Sequence, residues 1–181
     1  MVLVITALSL SANVIAKKDL VSIDSAQLLH ESKAGQALKA KLENEARELQ
    51  AQQQALIAEL QQAGQEFQKN AKLLSKSAQE TEIARLRKME ARAQRTLQEN
   101  NAEFQEAAKI QQEALHHHNL EVAANVHQEN GWGLMVDKNS AVAVNPSIDV
   151  TKIVLEKLNQ EYDAAQQNIL VAQNASEEVV A

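Results

Sequence analysis

The sequence has no cysteine, one proline and four glycines, and aromatic residues make up only 2% of its 181 positions. Without cysteine there is no disulfide framework and no thiolate metal site. The absence does not by itself name a compartment, because exported proteins can also lack cysteine. A compact enzyme of this length buries bulky residues and shapes its site with glycine-rich loops, and few of either are present. No Walker loop, G-x-S-x-G or H-E-x-x-H occurs, and no catalytic constellation, cofactor site or metal site is read from the residues. What is abundant is Ala, Gln, Glu, Leu, Lys and Arg, a composition that makes long helices. The net charge of -6 argues against a dedicated nucleic-acid binder.

Residues 1–11 are uncharged and mostly apolar, and Lys17-Lys18 follow the small-residue stretch that ends at Ala16. This reads as a signal peptide, residues 1–16, cleaved after Ala16 with Val14 and Ala16 as the small residues before the cut. The run falls short of the about 20 apolar residues that a bilayer span needs. No Lys or Arg precedes it, and a buried strand is the alternative reading.

Leu20 to Asp24 alternates with β-branched residues and reads as a strand. Asp24 with Gln27 resembles a capping box for a following helix, and a kink is expected between Ser32 and Gly35. From Leu42 the spacing becomes strict: Leu42, Ala46, Leu49, Gln53, Leu56, Leu60, Ala63, Phe67, Asn70 and Leu74 alternate four and three apart. That 3.5-residue period is a coiled-coil seam. Ser77 and Glu80 form a capping box that starts a second helix, so the chain reverses near residues 75–77. The return seam runs Ile83, Leu86, Glu90, Ala93, Leu97, Asn100, Phe104, Ala107, Gln111, Ala114, and the helix ends near Asn130, with Gly131 as a left-handed cap. Phe67 and Phe104 are read as seam packing.

Beyond Trp132, read as a core anchor, Leu134–Val136 and Ala141–Val144 read as strands joined by a turn at Lys138–Ser140. Asp149 caps a helix from Val150 to about Tyr162. The expected fold is therefore α+β, mostly α. Residues 34–130 form a long antiparallel coiled-coil helical hairpin arm that flexes. Residues 19–33 with 131–162 form a small three-stranded β head that oligomerises, and 163–181 form a flexible tail. A head of about 47 residues is marginal alone, and its sheet edges need cover. Val21, Ile23, Leu134, Val136, Val142 and Val144 are the expected oligomerisation residues.

Charge is unevenly placed. Residues 69–95 carry eight Lys/Arg against three Glu, net +5, which leaves -11 for the rest of the chain. Arg85, Lys88, Arg92 and Arg95 form one stripe, offset by two residues, or about 200°, from the seam of their helix. With Lys69, Lys72 and Lys76 they are candidate client-binding residues. The stripe reads equally as a solvated coiled-coil face. His116-His117-His118 point about 100° apart on a helix, so they read as surface residues.

Two segments carry a resemblance. Val21-Ser22-Ile23-Asp24 with Leu28-Leu29-His30-Glu31-Ser32-Lys33-Ala34-Gly35, and Gly133 to Asp137 with Ala141–Val144 and Pro146 to Thr151, resemble the two end signatures of the Skp (OmpH-like) periplasmic chaperones. The resemblance covers about residues 19–160. It implies a homotrimer in the periplasm, with a β-rich body and three helical arms around a cavity. It also implies an ATP-independent holdase for unfolded outer-membrane proteins. Weak membrane-surface contact is expected at the basic arm tips. Two departures stand out: members of that family are often strongly basic, and the tail here is longer. A structural coiled-coil envelope protein is the alternative function.

Overall fold

A computed structural model describes the backbone of residues 19–178 and the side chains of residues 19–169. The expected signal peptide lies outside the described residues. The elements are β1 (Leu20–Ile23), α1 (Ser25–Glu31), α2 (Lys33–Asn70), α3 (Lys76–Asn130), β2 (Leu134–Asp137) and α4 (Thr151–Glu178), with 3-10 turns at Ala71–Leu73, Lys138–Ser140 and Pro146–Ile148. Two compact units result. One is built from residues 19–28 together with residues 119–178, the other from Leu29–His118.

In the helical unit α2 and α3 run antiparallel. Lys41 Nζ donates to Gln111 Oε1 at 2.6 Å and Gln53 Nε2 to Asn101 Oδ1 at 3.1 Å, so positions rise on one helix as they fall on the other. Ser32 caps α2, its hydroxyl accepting from the Gly35 amide at 3.1 Å. The expected kink is thus a true break between α1 and α2. On α2 the seam is as the spacing predicts, with Ala63 buried and Leu42, Leu49, Gln53, Leu56, Leu60, Phe67 and Leu74 half-buried; Ala46 and Asn70 are exposed. On α3 the phase differs. Met89, Ala108 and Leu115 face inward where Glu90, Ala107 and Ala114 were expected. A strict 3.5-residue template drifts about 20° per heptad against a straight helix, so counted from Ile83 it trails by most of one position at Ala108 and Leu115; Met89 lies one position ahead of the template, which this drift does not explain.

The reversal also differs. It occupies Ala71 to Ser75 rather than 75–77, and Ser75 is the cap, its hydroxyl accepting from the Ala78 amide at 3.2 Å. Ser77 lies inside the first turn. Gly and Pro are not needed because Gln79 Nε2 donates to the carbonyls of Ala71 and Leu74 at 2.7 and 3.1 Å, closing the turn through a side chain.

In the other unit β1 and β2 pair in parallel, with Leu20 opposite Leu134 and Ile23 opposite Asp137. The sheet among the described residues has two strands, not three. Ala141–Val144 form no strand, for a local reason. Asp137 accepts from the Asn139 amide at 3.0 Å and winds Lys138–Ser140 into a 3-10 turn rather than a hairpin turn. The second edge of β1 is taken by Asp149 and Val150, whose amide donates to Ser22 O at 2.9 Å.

The core gathers Val21, Ile23 and Leu28, then Val122, Ala123 and Val126 from α3, then Trp132, Val150, Val154 and Leu158. Burying each large aliphatic side chain stabilises the unit by about 1.5–3 kcal/mol. Trp132 is a core residue, as the sequence predicts, although residues 122–126 were assigned to the arm. Gly131 has φ of 62°, and Trp132 N donates back to His127 O at 3.3 Å, which ends α3. Asp149 caps α4, accepting from the Thr151 amide at 2.9 Å. The helix then continues to Glu178, so the stretch expected to be a flexible tail from residue 163 is helical there. Ala, Gln and Leu sustain it, and no Gly or Pro follows Pro146 to stop it.

Candidate functional site

The basic cluster sits on α2 and α3 at their reversal. Lys69, Lys72, Lys76, Arg85, Lys88, Arg92 and Arg95 are all exposed. The helix rotation that puts Leu86, Ala93 and Leu97 against α2 turns Arg85, Lys88, Arg92 and Arg95 outward. Arg85 is partly neutralised: its Nε donates to Glu82 Oε1 and Oε2 at 2.9 and 3.0 Å, and a terminal nitrogen to Oε1 at 2.6 Å. Those hydrogen bonds from Arg85 hold the Glu82 carboxyl below the usual carboxylate range and raise the guanidinium in turn. The positive field of the cluster therefore rests mainly on its lysines and on Arg92 and Arg95.

Sequence spacing missed the apolar half of this surface. Leu73 is 84% exposed, between Lys72 and the reversal's Ser75, and Ile57 and Ile110 are half exposed along the helices. Their signal was available: each is a large apolar residue that falls off the 3.5-residue seam. Further along, Leu29, Leu38, Leu42, Ala46 and Leu115 line an apolar groove of 490 Å³, with Lys39, Glu43 and Gln112 at its rim. Between residues 33 and 118 only Gly35, Ala63 and Ala93 are buried.

The expected oligomerisation residues divide. Val21 and Ile23 are buried in the chain's own core, so they do not face outward. Val136 and Val144 are half-buried. Leu134 is 56% exposed and Val142 is fully exposed. Leu134, Met135 and Val136 border a groove of 380 Å³ with Leu120, Ala123 and His127. β2 pairs only with β1 among the described residues, which leaves its outer backbone edge open beside that groove.

Of the histidine run, His116 is half-buried and His117 and His118 are exposed. Among the described residues no three His, Cys, Asp or Glu side chains converge as metal ligands, and no helix is long and apolar enough to cross a membrane.

Among curated proteins no relative matches the sequence. The fold is similar to the crystal structure of a candidate outer membrane chaperone (OmpH-like) from Caulobacter crescentus CB15, with a TM-score of 0.76 at 18% identity, covering 81% of this chain and 86% of that one. Residues 20–158 match the family described as outer membrane protein (OmpH-like). That span takes in both strands, the whole helix pair and the start of α4, and by it the chain belongs to the OmpH-like family.

Proposed function

We propose that this protein is an ATP-independent periplasmic holdase that binds unfolded outer-membrane β-barrel proteins and prevents their aggregation. The observation that carries the reading is the thinness of the helix pair: over residues 33–118 it buries three small residues while Ile57, Leu73 and Ile110 stay in solvent. Such a surface offers many weak apolar contacts spread along the helices. A client held this way stays mobile, and folding into a bilayer competes it away without nucleotide.

The cation cluster adds long-range attraction for acidic clients. Lys69, Lys72 and Lys76 around Leu73 also fit a weak contact with an anionic membrane surface. Membership of the OmpH-like family supports the chaperone class, and residues 1–16 fit an export signal removed before Lys17.

Assembly as a homotrimer would multiply the effect, because arms from several copies raise the local concentration of contact sites. The open edge of β2, with exposed Leu134 and Val142, is the surface we assign to that assembly. An unfolded outer-membrane protein diluted from urea tests the function. The holdase keeps light scattering at baseline in nucleotide-free buffer, whereas a structural coiled-coil protein leaves it to rise as in buffer alone.

A further inference from the structure

We propose that the outer part of α4, from Tyr162 onward, packs against the same segment of a second copy of this chain. The inference rests on the homo-oligomer reading and adds a contact outside the family-matched residues.

Early in α4 the apolar stripe has a partner: Val154 is fully buried and Leu158 is 5% exposed in the chain's own core. Past Tyr162 that core ends, but the pattern does not. Leu155, Leu158, Tyr162, Ala165 and Ile169 follow three, four, three and four apart, which is the spacing of a helix–helix seam. Tyr162 is half-buried, Ala165 is exposed and Ile169 is 49% exposed.

Charge decides the occupant. The chain is 23% charged, yet residues 164–176 contain no charged residue at all. An acidic client or an anionic headgroup would be met by cations, and this stretch has none. A solvated helix would be supported by paired charges four residues apart, and these too are missing. A helix with neither is marginal in water. A second copy removes the difficulty. It brings the same stripe, no like-charge repulsion, and the amides of Gln166 and Asn168, which both donate and accept. Around a rotation axis of three or more copies, equivalent helices run in the same sense, and helices gathered at that axis bring Ile169 to Ile169.

The absence of cysteine makes the test clean. Ile169→Cys and Gln167→Cys are made singly in the full chain and oxidised. Residue 167 lies about 200° around the helix from residue 169. Ile169→Cys is expected to form a covalent dimer on a non-reducing gel, and Gln167→Cys to stay monomeric. Ala165→Glu with Ile169→Glu is expected to weaken self-association about tenfold by placing charges in the seam, with helix content unchanged. If the wild type sediments as an oligomer but the two cysteines link equally or not at all, the α4 contact is wrong and the oligomer reading stands. A monomeric wild type overturns both. Linkage of Ile169→Cys to a different polypeptide in the envelope overturns the self-contact.

Discussion

Ser25 and Asp137 stand 112 positions apart and meet twice: the Asp137 carboxylate accepts from the Ser25 hydroxyl and, at 3.5 Å, from the Ser25 amide. The contact ties the end of β2 to the first residue of α1. Beside it the Asp24 amide donates to Thr151 Oγ1 at 2.9 Å, and Asp149 accepts from Thr151 and from Lys138. Three distant segments are thus joined through two carboxylates.

Those carboxylates make stability depend on acid. Burial disfavours the charge on Asp137, but hydrogen bonds from Ser25 and Asn139 outweigh it and hold the carboxyl below its ordinary 3.8. Burial likewise opposes charge on Asp149, and hydrogen bonds from Lys138 and Thr151 outweigh it. A lowered folded-state pKa gives stability that is complete above the ordinary value and lost as pH falls below it. Urea midpoints at pH 7 and pH 3 check this. Asp137→Asn with Asp149→Asn is expected to lower the midpoint at pH 7 and to shrink its fall on acidification. At pH 7, Ser25→Ala should cost about 1–2 kcal/mol by removing one donor to a charged group.

Two glycines in α2 should respond oppositely to Ala. At Gly35 an added Cβ would lie 1.8 Å from Leu29 O, so the α1–α2 break must shift. Such overpacking costs about 1–3 kcal/mol. At Gly64 nothing lies within 4 Å, and the helix should gain about 0.5–1 kcal/mol. Thermal melts followed by circular dichroism separate the two.

Val142→Arg should impair assembly without unfolding the chain, because Val142 is fully exposed in the single chain. Val21→Arg, in the core, should unfold it. Light scattering at low micromolar concentration reads the first, and circular dichroism the second. A Val142→Arg variant with wild-type mass would remove this residue from the assembly surface.

How far the residues alone reach can be judged from particular elements. Asp24, Gly131 and Asp149 were legible because each acts through local geometry: Asp24 accepts from the Gln27 amide at 2.9 Å, as a cap should. The α2 seam was legible because its period is long and clean. The reversal was misplaced by a turn because Ser75 and Ser77 are both fit to cap a helix, and a side chain, Gln79, chose between them. Ala141–Val144 has strand-like residues, yet Asp137 accepts from the Asn139 amide and winds Lys138–Ser140 into a 3-10 turn in place of a hairpin turn, a local bond that alternation does not carry. For the site, charge was readable by spacing, whereas exposure of Leu73 depends on how the reversal is wound.

Reversing the basic stripe should leave the fold intact. Arg85→Glu, Lys88→Glu, Arg92→Glu and Arg95→Glu together alter exposed side chains only. Helix content and oligomer mass are expected to match the wild type. Affinity for an acidic unfolded client should fall, and wild-type affinity should drop several-fold from low to physiological salt as screening shortens the field. Equal protection by both proteins at both salt levels would assign client capture to the apolar positions alone.

The most direct test of the proposed holding function is to follow one client through capture and release. An unfolded outer-membrane β-barrel is mixed with the purified protein without nucleotide, sedimented, and then given lipid vesicles. The account predicts a soluble complex of defined mass in which the client lacks β-structure, followed by folding of that client into the vesicles with the chaperone left behind. A client that aggregates at the rate seen in buffer alone, or that forms no sedimenting complex, would contradict it.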